Sequence, residues 1–265
     1  TNAARYPLPW LSGLGAWLAW MAVDGWLAAR RQEWAARRPW LPAAVAVALI
    51  GLEVTGLWFY QDLCAREFLL GMIDYQQGSC GAAFDRLDLV GSACELTFSP
   101  NVPVAETKCA ECSLLRGAAD ARQAGRFDEA ITGYQAYLTV YPGGGLTVHA
   151  QDNAAAAYGE WAGALRANAD FQAAVDTYEQ GRSAYPDAPA SERAPELAAE
   201  TYGEWAARLL QEEQFEQAVA KYETILADYP GTPAGGQAAE QAAGAYAGWA
   251  TQLREEGRFA QADAK

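Results

Sequence analysis

Histidine is nearly absent: His149 is the only one in 265 residues. It lies in a polar connector after "PGGG" with no serine or cysteine pattern around it, so no nucleophile–histidine pair is spelled out, and it reads as a solvent-facing residue. The glycine run itself lacks the Lys-Ser/Thr ending of a phosphate loop and follows no strand. Five cysteines are present, and "CAEC" at Cys109 and Cys112 has metal or redox spacing. A zinc site needs a second such pair, and haem attachment needs "CxxCH"; the chain has neither. No carboxylate pair stands out from the rest of the acids as a catalytic couple. No metal or cofactor is implied, and no enzyme. Basic stripes are also missing. Residues 1–60 carry a formal +2 and residues 61–265 a formal −16, which repels nucleic acid.

What is present first is apolar length. "WLSGLGAWLAWMAVDGWLA" (residues 10–28) and "LPAAVAVALIGLEVTGLWFY" (residues 41–60) hold one charge each. At about 20 residues, each is long enough to cross a hydrocarbon core of roughly 30 Å as a helix. Trp40 and the run Trp58, Phe59, Tyr60 sit at the ends of the second segment, where aromatic belts form. Between the segments lie Arg30, Arg31, Arg37 and Arg38. The positive-inside rule puts this loop in the cytoplasm, and hence both the N-terminus and everything after Tyr60 on the outer side. All five cysteines fall in that outer part, as an oxidising compartment permits. Asp24 and Glu53 are the two charges inside the spans, at depths of roughly 6 and 18 Å from the cytoplasmic edge. Each is expected to make an intramembrane polar contact, Asp24 by reaching the interface and Glu53 by facing another helix.

From about Cys112 the chain is periodic. Phe127, Phe171, Phe215 and Phe259 recur at one interval, as do the "YP" pairs beginning at Tyr141, Tyr185 and Tyr229 and the motif "YGEWA" at Tyr158 and Tyr202, which returns as "YAGWA" at Tyr246. Tyr158, Trp161, Ala162 and Leu165 share one helical face, and Phe171, Ala174, Val175 and Tyr178 share another. Proline then ends the second helix. Each unit is thus a helical hairpin that cannot bury its apolar face alone, and stacking the units makes a continuous core. Tyr158 and Trp161 are the knobs between hairpins. The order small residue, aromatic, proline in Ala130/Tyr134/Pro142, Ala174/Tyr178/Pro186 and Ala218/Tyr222/Pro230 resembles the tetratricopeptide repeat. So do the large–small pairs Trp161/Ala162, Trp205/Ala206 and Trp249/Ala250. The usual unit is about 34 residues, and the extra length here looks like a longer first helix. The pattern is most similar to bacterial envelope repeats in Tol-Pal-associated and outer-membrane-assembly proteins.

The expected fold is therefore all-α: a two-span anchor over residues 1–60, a cysteine-containing degenerate first repeat and loop over 61–112, and a tetratricopeptide-like solenoid over 113–265. In the degenerate unit "AREFLLGMIDYQ" is the first helix, Gly78 marks the turn, Cys80 takes the place of the repeated Phe, and "SPNVPVAETK" is a loop. The last unit stops short of its aromatic and its proline, so a longer product, or a partner covering that end, is expected.

The resemblance implies partner binding in a concave groove lined by first helices. Arg122, Arg166 and Arg254 occupy a matching groove position, beside small residues at Gly159, Gly163, Gly203, Ala207 and Ala247. Such arginines are expected to fork onto carboxylates of a partner peptide or helix. A hairpin turning near Gly78 brings Cys64 level with Cys94, within reach of a disulfide, leaving Cys80 a buried thiol. Cys109 and Cys112 then join each other, unless one of them takes Cys94. Together these features predict a scaffold in the bacterial cytoplasmic membrane, or else an accessory subunit of a larger membrane complex.

Overall fold

A computed structural model describes residues 23–24, 41–95 and 99–264. The first expected span, residues 10–28, lies outside them apart from Val23 and Asp24, which are helical and exposed. Among the described residues every regular element is helical: α1 Leu41–Gln76, α2 Cys80–Ala93, α3 Asn101–Gln123, α4 Phe127–Val140, α5 Thr147–Ala167 and α6 Phe171–Ala184. A short 3-10 turn, Pro189–Ser191, precedes α7 Ala194–Gln211, α8 Phe215–Asp228, α9 Pro233–Glu255 and α10 Phe259–Ala262. The chain divides into two compact units, Thr1–Leu63 and Cys64–Lys265.

Helix α1 differs from the expected second span. It does not end at Tyr60 but runs 36 residues to Gln76, because no proline or left-handed residue interrupts it before Gly78. At 1.5 Å per residue that is about 54 Å, well beyond the hydrocarbon thickness of a bilayer. One helix therefore contains both the second apolar segment and the stretch "AREFLLGMIDYQ" expected to be a separate helix. Its portion Ala44–Gln76 is the one described helix long and apolar enough to cross a membrane. Val47, Ile50, Leu52, Val54, Leu57, Trp58 and Phe59 are all exposed on it.

From α2 onward each helix packs against the next in the chain, and first helices of neighbouring hairpins also touch, α3 with α5 and α7 with α9. The turns inside the hairpins share one geometry. Gly78, Gly125, Ala169, Glu213 and Gly257 all have φ between 58° and 75°. At each, the residue that follows donates its N–H five positions back, as Arg126 does to the Ala121 carbonyl and Asp170 to that of Leu165. This is the Schellman closure, in which a left-handed residue satisfies the last carbonyls of a helix. The core is built of alanine and tyrosine: Ala162, Ala198, Ala206 and Ala218 are fully buried beside Tyr178 and Tyr222. Alanine lets helix backbones approach closely, and the tyrosines fill the gaps between turns.

The expected loop "SPNVPVAETK" is instead mostly helix, since α3 begins at Asn101. Pro103 falls in its first turn, where a missing N–H removes no helical hydrogen bond. Ala105, Cys109, Cys112 and Leu115 then supply an inward stripe that makes the helix worth forming.

Candidate functional site

The arginines read as groove residues are engaged within the chain. Arg122, near the end of α3, donates from Nε and Nη2 to the two carboxylate oxygens of Glu160 on α5, at 3.0 and 2.9 Å. It also donates from Nη1 to Asn153 at 2.9 Å. One unit later Arg166 repeats the fork, with Nε at 2.8 Å from Glu204 and Nη1 at 3.1 Å from Glu200. Burial raises the pKa of the Tyr134 and Tyr178 phenols, and the positive charges of Arg122 and Arg166 oppose that rise. Bonding to Glu204 raises the Arg166 pKa and, reciprocally, holds the Glu204 carboxyl below its usual range. Arg122 and Arg166 are thus engaged inside the chain: a planar fork takes the nearest well-placed carboxylate, and the next hairpin supplies it.

The third joint is built differently. Leu210 stands where the arginine would be, and Gly248 where the glutamate would be. A Cβ on Gly248 would fall 2.6 Å from the Phe215 ring, so an apolar contact replaces the ion pair. Arg254, at the same position in the last unit, is exposed and lies 3.9 Å from Asp263. Aromatic contacts keep the same rhythm. Tyr158 meets Tyr185 and Tyr202 meets Tyr229, with ring centroids 6.4 and 6.1 Å apart. Phe171 stacks on Trp205 of the following hairpin.

A second cluster was not legible in advance. Glu111 on α3 is only 4% exposed. It accepts hydrogen bonds from the Tyr75 hydroxyl of α1, from Lys108 Nζ at 2.6 Å and from the Tyr137 hydroxyl of α4 at 3.4 Å. Lys108 also sits over the Tyr75 ring, 4.7 Å from its centroid. Burial, then the neighbouring carboxylate, pushes both phenols above the ordinary tyrosine pKa. One carboxylate thus holds three helices. In the two following units the aligned position is Ala155 and Ala199, both buried; that alignment is the sequence signal that singles out Glu111.

The "PGGG" run closes over this cluster. A Cβ on Gly144 would lie 2.5 Å from the Tyr137 hydroxyl, and one on Gly145 2.9 Å from that of Tyr75. These glycines are required by close approach to the phenols. His149, expected to face solvent, is half-buried instead. Its ring comes so near the Gly78 turn that a Cβ there would lie 2.8 Å from the imidazole.

Cys64 and Cys94 form a disulfide with Cα atoms 6.0 Å apart. Cys80, Cys109 and Cys112 are free and buried; the expected bond between Cys109 and Cys112 is absent because both thiols point from α3 into its packing interface. A cleft of about 420 Å³ opens between α2 and α3, with Phe84, Leu87, Asp88, Glu106 and Cys109 in its wall. Glu53 is exposed on the apolar part of α1, so no described helix covers it as expected, while Asp24 is exposed in the segment otherwise undescribed. Among the described residues no group of three or more His, Cys, Asp or Glu is arranged to hold a metal ion. Compared with family models and with curated proteins, the chain matches none.

Proposed function

We propose that this chain is a membrane-tethered, extracytoplasmic scaffold of tetratricopeptide type that holds protein partners and performs no chemistry of its own. The observation that carries the reading is the recurrence of one joint. Left-handed turns, Arg–Glu forks and tyrosine contacts come back at the sequence period, which is how a solenoid adds one unit to the next. The first helices leave room for a partner. A side chain added at Gly159 or Gly203 would meet nothing within 4 Å, and one at Gly163 only the Tyr178 hydroxyl at 3.8 Å. With Arg122 and Arg166 bound to Glu160 and Glu204, recognition falls to this smooth small-residue lining, which suits a close-lying helix or peptide.

The exposed apolar face of α1 supports the anchor, and the arginines at 30, 31, 37 and 38 support a cytoplasmic loop between two spans, with the repeats outside the bacterial cytoplasmic membrane. A second reading, an accessory subunit of a larger membrane complex, draws on Glu53, whose carboxylate among Ile50, Leu52, Val54 and Leu57 calls for a protein neighbour in a bilayer. Purification from native membranes in mild detergent is expected to return a stoichiometric partner, and protease added outside spheroplasts is expected to digest the repeats. A partner shed by stronger detergent marks the scaffold, whereas one retained marks the subunit. A preparation containing only this chain, or repeats protected from outside protease, overturns the proposal.

A further inference from the structure

Helices α2 and α3 are antiparallel, and their contacts fix the register between them. A Cβ on Gly91 would touch Glu106 at 3.3 Å, Cys109 Sγ lies 3.9 Å from the Phe84 carbonyl oxygen, and Arg116 Nη1 reaches Asp85 at 3.0 Å. One turn onward from Cys109 is Cys112, and one turn back from Phe84 is Cys80. Both are buried, Cys112 completely and Cys80 at 8% exposure, and this register sets them at facing positions of the two helices. Only α1 and α2 are already joined, by Cys64 and Cys94.

We propose that Cys80 and Cys112 are a dithiol modification site, which a low-molecular-weight disulfide oxidises to a second intrachain disulfide linking α2 to α3. The neighbouring Cys112 side chain draws the Cys80 thiol below the ordinary range, and Cys112 is left above it, so Cys80 is the thiolate that attacks first. Its lone pair forms a bond to one sulfur of the oxidant and expels the other as a thiolate. Cys112 then loses its proton to that thiolate or to water and attacks Cys80 Sγ. The S–S bond closes and the second oxidant sulfur leaves. The two cysteines lose two electrons and two protons, and the oxidant is reduced to two thiols. Cys109 competes poorly: burial, with Asp88 and Asp85 nearby, pushes its thiol up to about 11. Once closed, the link makes α1, α2 and α3 covalently continuous, and the degenerate first unit becomes a rigid base.

The test uses the full chain in detergent micelles with oxidised glutathione as the probe. Expected are a mass lower by two hydrogens without a glutathione adduct, and a non-reducing peptide map carrying Cys80–Cys112 beside an intact Cys64–Cys94. A Cys109→Ser variant is expected to behave identically, while Cys112→Ser keeps glutathione on Cys80. Closing the loop is expected to raise the thermal midpoint by about 5–15 °C. A cross-link containing Cys109, a persistent adduct in the unmutated chain, or thiols that react only after denaturation overturns the proposal. So does a lower midpoint after oxidation.

Discussion

Replacing Glu111 with alanine sets the repeat pattern against the structure. Aligned units carry Ala155 and Ala199 at this position, both buried, so the pattern taken alone expects Glu111→Ala to be neutral or stabilising. The structure expects the reverse. The substitution leaves the Tyr75 and Tyr137 hydroxyls, at 4% and 0% residue exposure, without their acceptor. Each orphaned buried hydroxyl costs about 1–3 kcal/mol, and breaking a buried ionic contact costs about 3–5 kcal/mol. Lys108 is less affected, because its side chain is 25% exposed and can turn to water. A loss of about 3–5 kcal/mol follows, or roughly 6–20 °C in midpoint for a unit of this size. Helical hairpins can open separately from the rest of a chain, so the loss is best read locally, by hydrogen exchange at α3 amides alongside circular dichroism. The decisive comparison is the triple variant Glu111→Ala, Tyr75→Phe, Tyr137→Phe. With both phenols made apolar and the partly exposed Lys108 turned to water, no buried hydroxyl is left orphaned, and most of the lost stability is expected to return. A single variant within about 1 kcal/mol of the parent, or a triple variant no better than the single, refutes the argument.

Four further outcomes are expected. A double-mutant cycle on Arg166 and Glu204 should give a coupling of about 0.5–1.5 kcal/mol that shrinks in high salt, the discount reflecting Glu204's half-exposed side chain. Because the folded-state pKa of Glu204 is depressed, that contribution is present above the ordinary glutamate pKa of about 4.3 and fades as pH falls through the folded value; a coupling unchanged between neutral and strongly acidic pH contradicts it. The raised Tyr75 and Tyr137 phenols have the opposite profile. Their contribution is complete below about pH 10 and declines above it, measurable as alkaline unfolding that the two phenylalanine substitutions delay. Gly144→Ala and Gly145→Ala should each destabilise by about 1–3 kcal/mol while Gly143→Ala is neutral, since a Cβ at Gly143 meets nothing within 4 Å; equal effects at all three sites refute the close-approach account. Ala169→Gly and Glu213→Gly, at φ of 62° and 58°, should stabilise by about 0.5–1 kcal/mol in urea titrations, and a loss at both would mean that these turns are unstrained.

Periodicity carried most of the fold. Phe127, Phe171 and Phe215 each open a second helix, and the three "YP" tyrosines each cap one, because proline position and apolar spacing act within a turn or two of the chain. The Cys64–Cys94 pairing was legible for the same reason: counting outward from Gly78 is a local operation. What the chain alone could not give was the destination of a side chain whose partner is remote. The pattern marks Arg122 and Arg166 as recurring, yet whether a guanidinium faces a partner or a glutamate 38 residues onward depends on how the next hairpin is rotated. Its partners Glu160 and Glu204 were in plain view, as the third letter of "YGEWA". Glu111 looked like one acid among thirty in residues 61–265 until α1 and α4 brought two phenols to it, and "PGGG" looked like a flexible connector until those phenols occupied the space its side chains would need. Helices follow from neighbours in sequence. Buried polar groups follow from neighbours in space, and only tertiary packing decides which donor an acceptor will meet.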